Sequence, residues 1–212
     1  MNVVFDFAGV LFHWQPAELV AQVLPRRAAA LEAAQRLSDA IFQGYGGDWA
    51  EFDRGIIEPG PLAHRIAQRT GLEVDEARAV IDAVPQALQP VAGTVQLLQR
   101  LHAQGRPLYF LSNMPEPYAR HLEATHDFLR LFRRGLYSAR AQMIKPEPQI
   151  FALAVDTFGI DPARTLFIDD VPANVVAARV AGWQALHFKG ADECEAELLR
   201  LALLAPVLDQ AG

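Results

Sequence analysis

Apolar residues in this chain come in two rhythms. Five short apolar runs, Val3–Phe7, Leu108–Ser112, Gly135–Ser138, Thr165–Asp169 and Ala185–Phe188, each predict a strand. Between most of them apolar residues recur every three or four positions. Residues 91–104 put Val91, Val95, Leu98 and Leu101 on one face and stop at Gly105. Residues 147–158 carry Ile150, Phe151, Leu153, Ala154 and Phe158 and stop at Gly159; residues 172–181 stop at Gly182. Strands alternating with such helices predict an α/β fold, a parallel sheet covered on both faces. Residues 191–204 predict a terminal helix, acidic first and apolar later.

One stretch breaks the alternation. Between the first strand and Leu108 lie about a hundred residues with helical periodicity and no convincing strand. Candidate helices cover 16–24, 27–43, 59–70 and 74–83. A single crossover helix needs far fewer residues. The expectation is an inserted helical subdomain over 14–88, set above the end of the first strand, with the other domain formed by 1–13 and 89–212. Gly44-Tyr45-Gly46-Gly47-Asp48 is its most flexible-looking turn, and Pro85 and Pro90 flank its exit.

Composition narrows the partners. The chain has 212 residues, 51% hydrophobic and 21% charged, with net charge −6. No Lys/Arg block is present, so neither nucleic acid nor an anionic membrane is expected as a partner. No run approaches the ~18 apolar residues of a membrane span. The N-terminus enters a strand without a basic leader, and the expected compartment is the cytoplasm. The single cysteine, Cys194, lies among Asp192, Glu193 and Glu195, which disfavour a thiolate. Monomer and homodimer are equally open.

The candidate chemistry sits where strands end. Open α/β sheets place ligands at the carboxyl ends of their strands. Val3-Val4-Phe5 runs into Asp6, and Gly9 follows in a turn. The second strand runs into Ser112-Asn113, a hydroxyl that can bond a phosphoryl oxygen or simply cap a turn. Lys145 precedes Pro146 and could neutralise a carboxylate and a phosphate, or be a solvated surface group. The fourth strand ends in Asp169-Asp170, two adjacent acids that repel unless a cation or a helix N-terminus shares their charge. Asn174 follows on the same helix start.

Asp6, Ser112, Lys145 and Asp169/Asp170, at intervals of 106, 33 and 24 residues, resemble the four ordered motifs of the haloacid dehalogenase-like hydrolases. The long first interval is where subclass I of that superfamily carries a helical cap, and the resemblance covers essentially the whole chain. It implies a Rossmann-like sheet of order 5-4-1-2-3. It further implies a Mg²⁺-dependent phosphatase acting on a small phosphorylated metabolite, with Asp6 attacking phosphorus to give an aspartyl-phosphate. Ser112 and a backbone group of Asn113 would bind the phosphoryl group, and Lys145 would hold phosphate and nucleophile together. Metal would be held by Asp6, the Ala8 carbonyl and Asp169, with Asp170 as second ligand or water-holder. The text resembles most a bacterial sugar-phosphate phosphatase branch of the α-glucose-1-phosphate type.

The chain departs from the pattern at Ala8, where the family carries a second Asp that protonates the leaving group and later activates water. Losing a general acid/base typically costs ~10²–10⁴-fold in rate. The substrate could have a good leaving group, or another residue could substitute, with His13 nearest in sequence. Alternatively the protein binds phosphate compounds without efficient turnover. A 2-haloacid dehalogenase would also use the first Asp, but such enzymes resemble this chain less: they carry an aromatic residue at the Ala8 position and lack the paired acids. The cap would line the leaving-group pocket with Trp14, Tyr45, Trp49, Phe52 and Arg54.

Overall fold

Strands β1 (Asn2–Phe5), β2 (Leu108–Ser112), β3 (Arg134–Tyr137), β4 (Thr165–Asp169) and β5 (Gln184–His187) form one wholly parallel sheet in the computed structural model, which describes residues 1–205. Their order is β3-β2-β1-β4-β5, the order the family resemblance implies, read from the opposite edge. Residues 206–212, the end of the expected second domain, lie outside the described residues.

The central strands are buried on both faces, which is why they read as unbroken apolar runs. Period-two alternation divides them. Val3, Phe5, Leu108, Phe110, Leu166 and Ile168 belong to one apolar cluster, while Val4, Tyr109, Leu111 and Phe167 belong to another. At the edge, Gly135 leaves room for the Phe110 ring, since a Cβ there would lie 1.8 Å from it.

Six α-helices separate β1 from β2, and the first five form the helical segment: α1 (Pro16–Val23), α2 (Leu31–Phe42), α3 (Gly47–Asp53), α4 (Pro59–Thr70) and α5 (Val74–Ala87). Leu19, Ile41, Leu62, Ile66, Val80 and Val84 from these helices join the same apolar cluster as the first sheet face. Then come α6 (Ala92–Ala103), α7 (Glu116–Thr125), α8 (Ser138–Ala141), α9 (Pro148–Phe158), α10 (Pro172–Val180) and α11 (Ala191–Arg200). Helices α6, α7 and α11 add to the first cluster, and α9 and α10 to the second.

Several elements differ from expectation. The first strand ends at Phe5 rather than Phe7, because the Phe7 carbonyl turns to accept the amides of Val10, Leu11 and Phe12. The second helix starts at Leu31, after turns at residues 25–27, not at 27. The terminal helix stops at Arg200 rather than 204. Helix α5 continues through Pro85 to Ala87 instead of stopping at 83. Proline has no N–H to donate to the carbonyl four residues earlier. Here that carbonyl, Ile81, accepts the Tyr118 hydroxyl at 2.8 Å, so the missing bond is replaced from α7. Helix α3 hides behind Gly46-Gly47. Its start is made by the Gln43 side chain, which accepts the Asp48 amide at 2.9 Å.

The two chain crossings between the helical segment and the sheet run side by side. The His13 amide donates to Gln89, and the Val91 amide donates to Leu11, both at 2.8 Å. A second set of contacts lies across the site: Arg54 pairs with Glu147, and Ser138 Oγ donates to the Asp53 carbonyl at 2.5 Å.

Candidate active site

Asp6 follows the last residue of β1, and its amide still donates to the Ile168 carbonyl at 2.9 Å. The tight turn after it requires Gly9, whose φ is +84°. A Cβ at Gly9 would also lie 2.2 Å from Asp170 Oδ2, so this glycine lets the β4 acid approach the β1 turn. Asp6 Oδ1 accepts the Phe7 amide at 2.7 Å and lies 2.8 Å from Lys145 Nζ. Both contacts fall on Oδ1, leaving Oδ2 free of them.

Lys145 is buried, and its Nζ also donates to Asp169 Oδ2 at 2.7 Å. Burial alone lowers an ammonium pKa, but the charges of Asp169 and Asp6 outweigh it and hold Lys145 above its ordinary value. Asn113 fixes this lysine. Its side-chain oxygen accepts the Lys145 amide at 2.8 Å, and its Nδ2 donates to the Lys145 carbonyl at 3.0 Å. The expected backbone contact of Asn113 with substrate thus has a side-chain clamp beside it.

The paired acids have divided their work. Asp169 is wholly buried and fully engaged, accepting from Lys145, from the Val171 amide at the start of α10 (2.8 Å) and from Asn174 Nδ2 (3.0 and 3.1 Å). Asp170 lines the cavity, and its buried Oδ1 has no partner among the described residues. The order expected from sequence, Asp169 as principal metal ligand and Asp170 as second, is therefore reversed in accessibility. Asn174 and the helix start consume the lone pairs of Asp169.

Carboxylate oxygens of Asp6, Asp169 and Asp170 lie within 4.8 Å of one another. Three acids share one ammonium. Burial, with Asp169 and Asp170 nearby, raises Asp6 well above the usual carboxylate range; burial and then Asp169 raise Asp170 to about 6. Such a cluster lacks positive charge. The orphaned Asp170 oxygen, the Asp6 carboxylate and an Ala8 carbonyl that accepts none of the turn's backbone bonds make an all-oxygen donor set. That set fits a hard divalent cation such as Mg²⁺.

A cavity of about 230 Å³ opens over these groups. Asp6, Ala8, Asn113, Lys145, Asp170 and Asn174 form its polar end. Its other walls include Trp14, Trp49, Val84, Leu88, Met114 and Tyr118. Of the expected cap contributors, Trp14, Tyr45 and Trp49 line it, and the Trp14 indole donates to the Tyr45 hydroxyl at 2.7 Å. Phe52 and Arg54 do not: Phe52 is packed inside the aromatic cluster and Arg54 faces Glu147. Nor does His13, which is exposed beside Gln89. Ser112 is wholly buried behind the cavity wall, its Oγ unpartnered. Sequence reasoning missed Asp53, a buried acid at the end of α3 that lines the cavity. Its neighbours Phe52 and Arg54 were noticed, and the only signal for it was an acid on an apolar helix face.

Cys194 plays no part in this site, and burial pushes its thiol up to about 12. Among the described residues no helix is long and apolar enough to cross a membrane.

Comparison with known proteins places these residues in context. The family model described as haloacid dehalogenase-like hydrolase matches residues 1–182. The sesquiterpene phosphatase astK of Aspergillus oryzae is 30% identical over 184 residues, 87% of this chain and 87% of its own length. Flavin mononucleotide hydrolase 1 of Arabidopsis thaliana is 28% identical over 158 residues, 73% of this chain and 62% of its own length. Among solved structures, the Bacteroides thetaiotaomicron HAD family enzyme BT-2542, in complex with magnesium and inorganic phosphate, superposes with TM-score 0.70 at 24% identity. The match covers 89% of this chain and 93% of that one.

Proposed function

The chain belongs to the haloacid dehalogenase-like hydrolases, and on that premise we propose a Mg²⁺-dependent phosphatase that hydrolyses a small phosphate monoester through Asp6. The observation that carries this reading is the state of Asp6. One oxygen is pinned by the Phe7 amide and Lys145, and the other is free at the polar end of the cavity, beside the unpartnered Asp170 oxygen. A carboxylate held in this way is an oriented nucleophile.

Asp6 Oδ2 attacks phosphorus, the ester oxygen leaves, and water then hydrolyses the aspartyl-phosphate. Lys145 neutralises the nucleophile and a phosphoryl oxygen together, in a site dry enough for its charge to count. Asn113 keeps Lys145 in place. Mg²⁺ would be held by Asp6, the Ala8 carbonyl and Asp170, with Asp169 orienting Lys145. When bound it would offset phosphoryl charge as a Lewis acid.

The organic part of the ester is apolar in this reading. Indole, phenol, thioether and aliphatic groups form its wall, and a sugar's hydroxyls would meet few partners there. The name of the Aspergillus relative, a sesquiterpene phosphatase, supports an apolar ester over the sugar phosphate suggested by sequence. Residues 14–88 then act as a cap whose inner face, with Trp14, Tyr45, Trp49, Val84 and Leu88, meets the leaving group. Residues 1–13 and 89–205, the described part of the expected 89–212, form the core domain.

Phosphate release from prenyl, sugar and aryl monophosphates, with Mg²⁺ or with chelator, tests the proposal. Metal-dependent turnover abolished by Asp6→Asn is the expected result. Halide release from a 2-haloacid without metal would replace it.

A further inference from the structure

We propose that Asp53 is the proton donor that Ala8 cannot be, delivering its proton to the ester oxygen as the phosphorus–oxygen bond breaks. The inference rests on the phosphatase reading and adds a catalytic residue, supplied by helix α3, to the chemistry at Asp6.

Asp53 and Asp6 line the same cavity from opposite elements, one at the end of α3 and the other after β1. Asp53 is 5% exposed, and no hydrogen bond to its carboxyl group is found among the described residues. A buried carboxylate without partners is costly, whereas the protonated acid needs only an acceptor. An ester oxygen in the cavity is such an acceptor. The groups around Asp53 leave it in this state. Lys145 faces it but is shared between Asp6 and Asp169; Tyr45 and Tyr118 present neutral hydroxyls; and Asp170 stands on the cavity wall. Arg54, next in sequence, turns away to Glu147. Burial raises Asp53 to about 8, so the proton is present at neutral pH.

The residue is also held still. Its carbonyl accepts Ser138 Oγ, which in turn accepts the Met114 amide at 2.8 Å. Arg54 is clamped by Glu147, whose carboxylate also accepts the Ile144 amide, next to Lys145. Gly55 lies against Ala139, where a Cβ would come within 2.8 Å of a backbone oxygen. Asp53 is thus fastened to the loops that carry Asn113 and Lys145, which is what a donor needs to meet one fixed oxygen.

The protons and bonds balance. Asp6 forms its bond to phosphorus, the ester bond breaks, and the Asp53 proton leaves with the alcohol. The Asp53 carboxylate then takes a proton from the water that attacks the aspartyl-phosphate. Inorganic phosphate departs, with Asp6 ionised and Asp53 protonated again.

The test compares an alkyl phosphate, whose alkoxide needs a proton, with p-nitrophenyl phosphate, whose phenolate does not. Asp53→Asn is expected to lower kcat/KM for the alkyl ester at least tenfold more than for the aryl ester. In the wild-type enzyme, alkyl-ester kcat/KM is expected to fall as pH rises through about 8, a limb missing from the aryl profile. This second measurement needs no variant. Equal losses on both esters, or identical pH profiles, would make Asp53 a structural residue and overturn the proposal while the phosphatase reading stands. If the wild-type enzyme hydrolyses neither ester, both fall together.

Discussion

At Asp53 a single side chain links stability to pH in a way that can be measured apart from turnover. Its native pKa, about 8, lies above the ordinary 3.8, so between those values the folded state binds more protons than the unfolded one. Stability then falls as pH rises from about 4 to 8, and above 8 the buried charge is carried in full. Asp53→Asn removes this penalty. Denaturant titrations should show the variant gaining on the wild type across that window, by up to about 6 kcal/mol before relaxation, and the gap should flatten above it. A gap that stays constant from pH 4 to 9 would place the native Asp53 pKa near 3.8. Ala8 offers the complementary change. In the Asp53→Asn background, Ala8→Asp puts a carboxyl at the cavity's polar end and should restore alkyl-ester hydrolysis tenfold or more. The residues at the strand ends were legible in the sequence because apolar runs terminate on them. Asp53 was not, since its meaning comes from burial and from a cavity that residues far apart in the chain enclose.

At the scale of elements, helices that join the cavity to the sheet carry the informative departures. Pro85 reads as a helix stop, and by local rules it should be one. Tyr118 from α7 overrides it by bonding the Ile81 carbonyl that proline leaves free. Two elements remote in sequence are thus sewn together at the cavity wall, where Val84 and Tyr118 both stand. Tyr118→Phe should cost about 1–3 kcal/mol, because a buried carbonyl loses its donor. Pro85→Ala restores a backbone donor to Ile81, so a double variant should recover part of that loss in thermal unfolding. Equal destabilisation by Tyr118→Phe with and without Pro85→Ala would sever this link. Helix α7 was invisible in the sequence for a related reason. Only Tyr118, Ala119 and Leu122 of its residues are buried, too narrow a stripe to stand out in a polar segment.

For the molecule as a whole, charge at the sheet's edge decides what it can bind. The chain is acidic, yet where β1 and β4 end two buried acids pair with the one ammonium of Lys145 and a third, half-buried Asp170, lies close by. The parallel sheet was readable in the alternation of strands and helices, but its strand order came only from the family resemblance. Which acid is left free of protein partners was not readable, since Asp169 and Asp170 are equivalent until Asn174 and the start of α10 engage one of them. A cation that binds only the folded state stabilises it by mass action, about 2.7 kcal/mol at a hundredfold excess over Kd. Mg²⁺ should therefore raise the melting temperature of the wild-type protein. Asp170→Asn should abolish that rise while leaving the metal-free fold little changed, because Asp170 Oδ1 has no hydrogen-bond partner among the described residues to lose. Asp169→Asn should do the opposite. It removes the anion that pairs with buried Lys145, lowering stability without metal, but keeps a Mg²⁺-dependent increment. If instead the increment vanishes with Asp169→Asn and survives Asp170→Asn, Asp169 is the principal ligand and Asn174 must yield its hold on that carboxylate when metal binds.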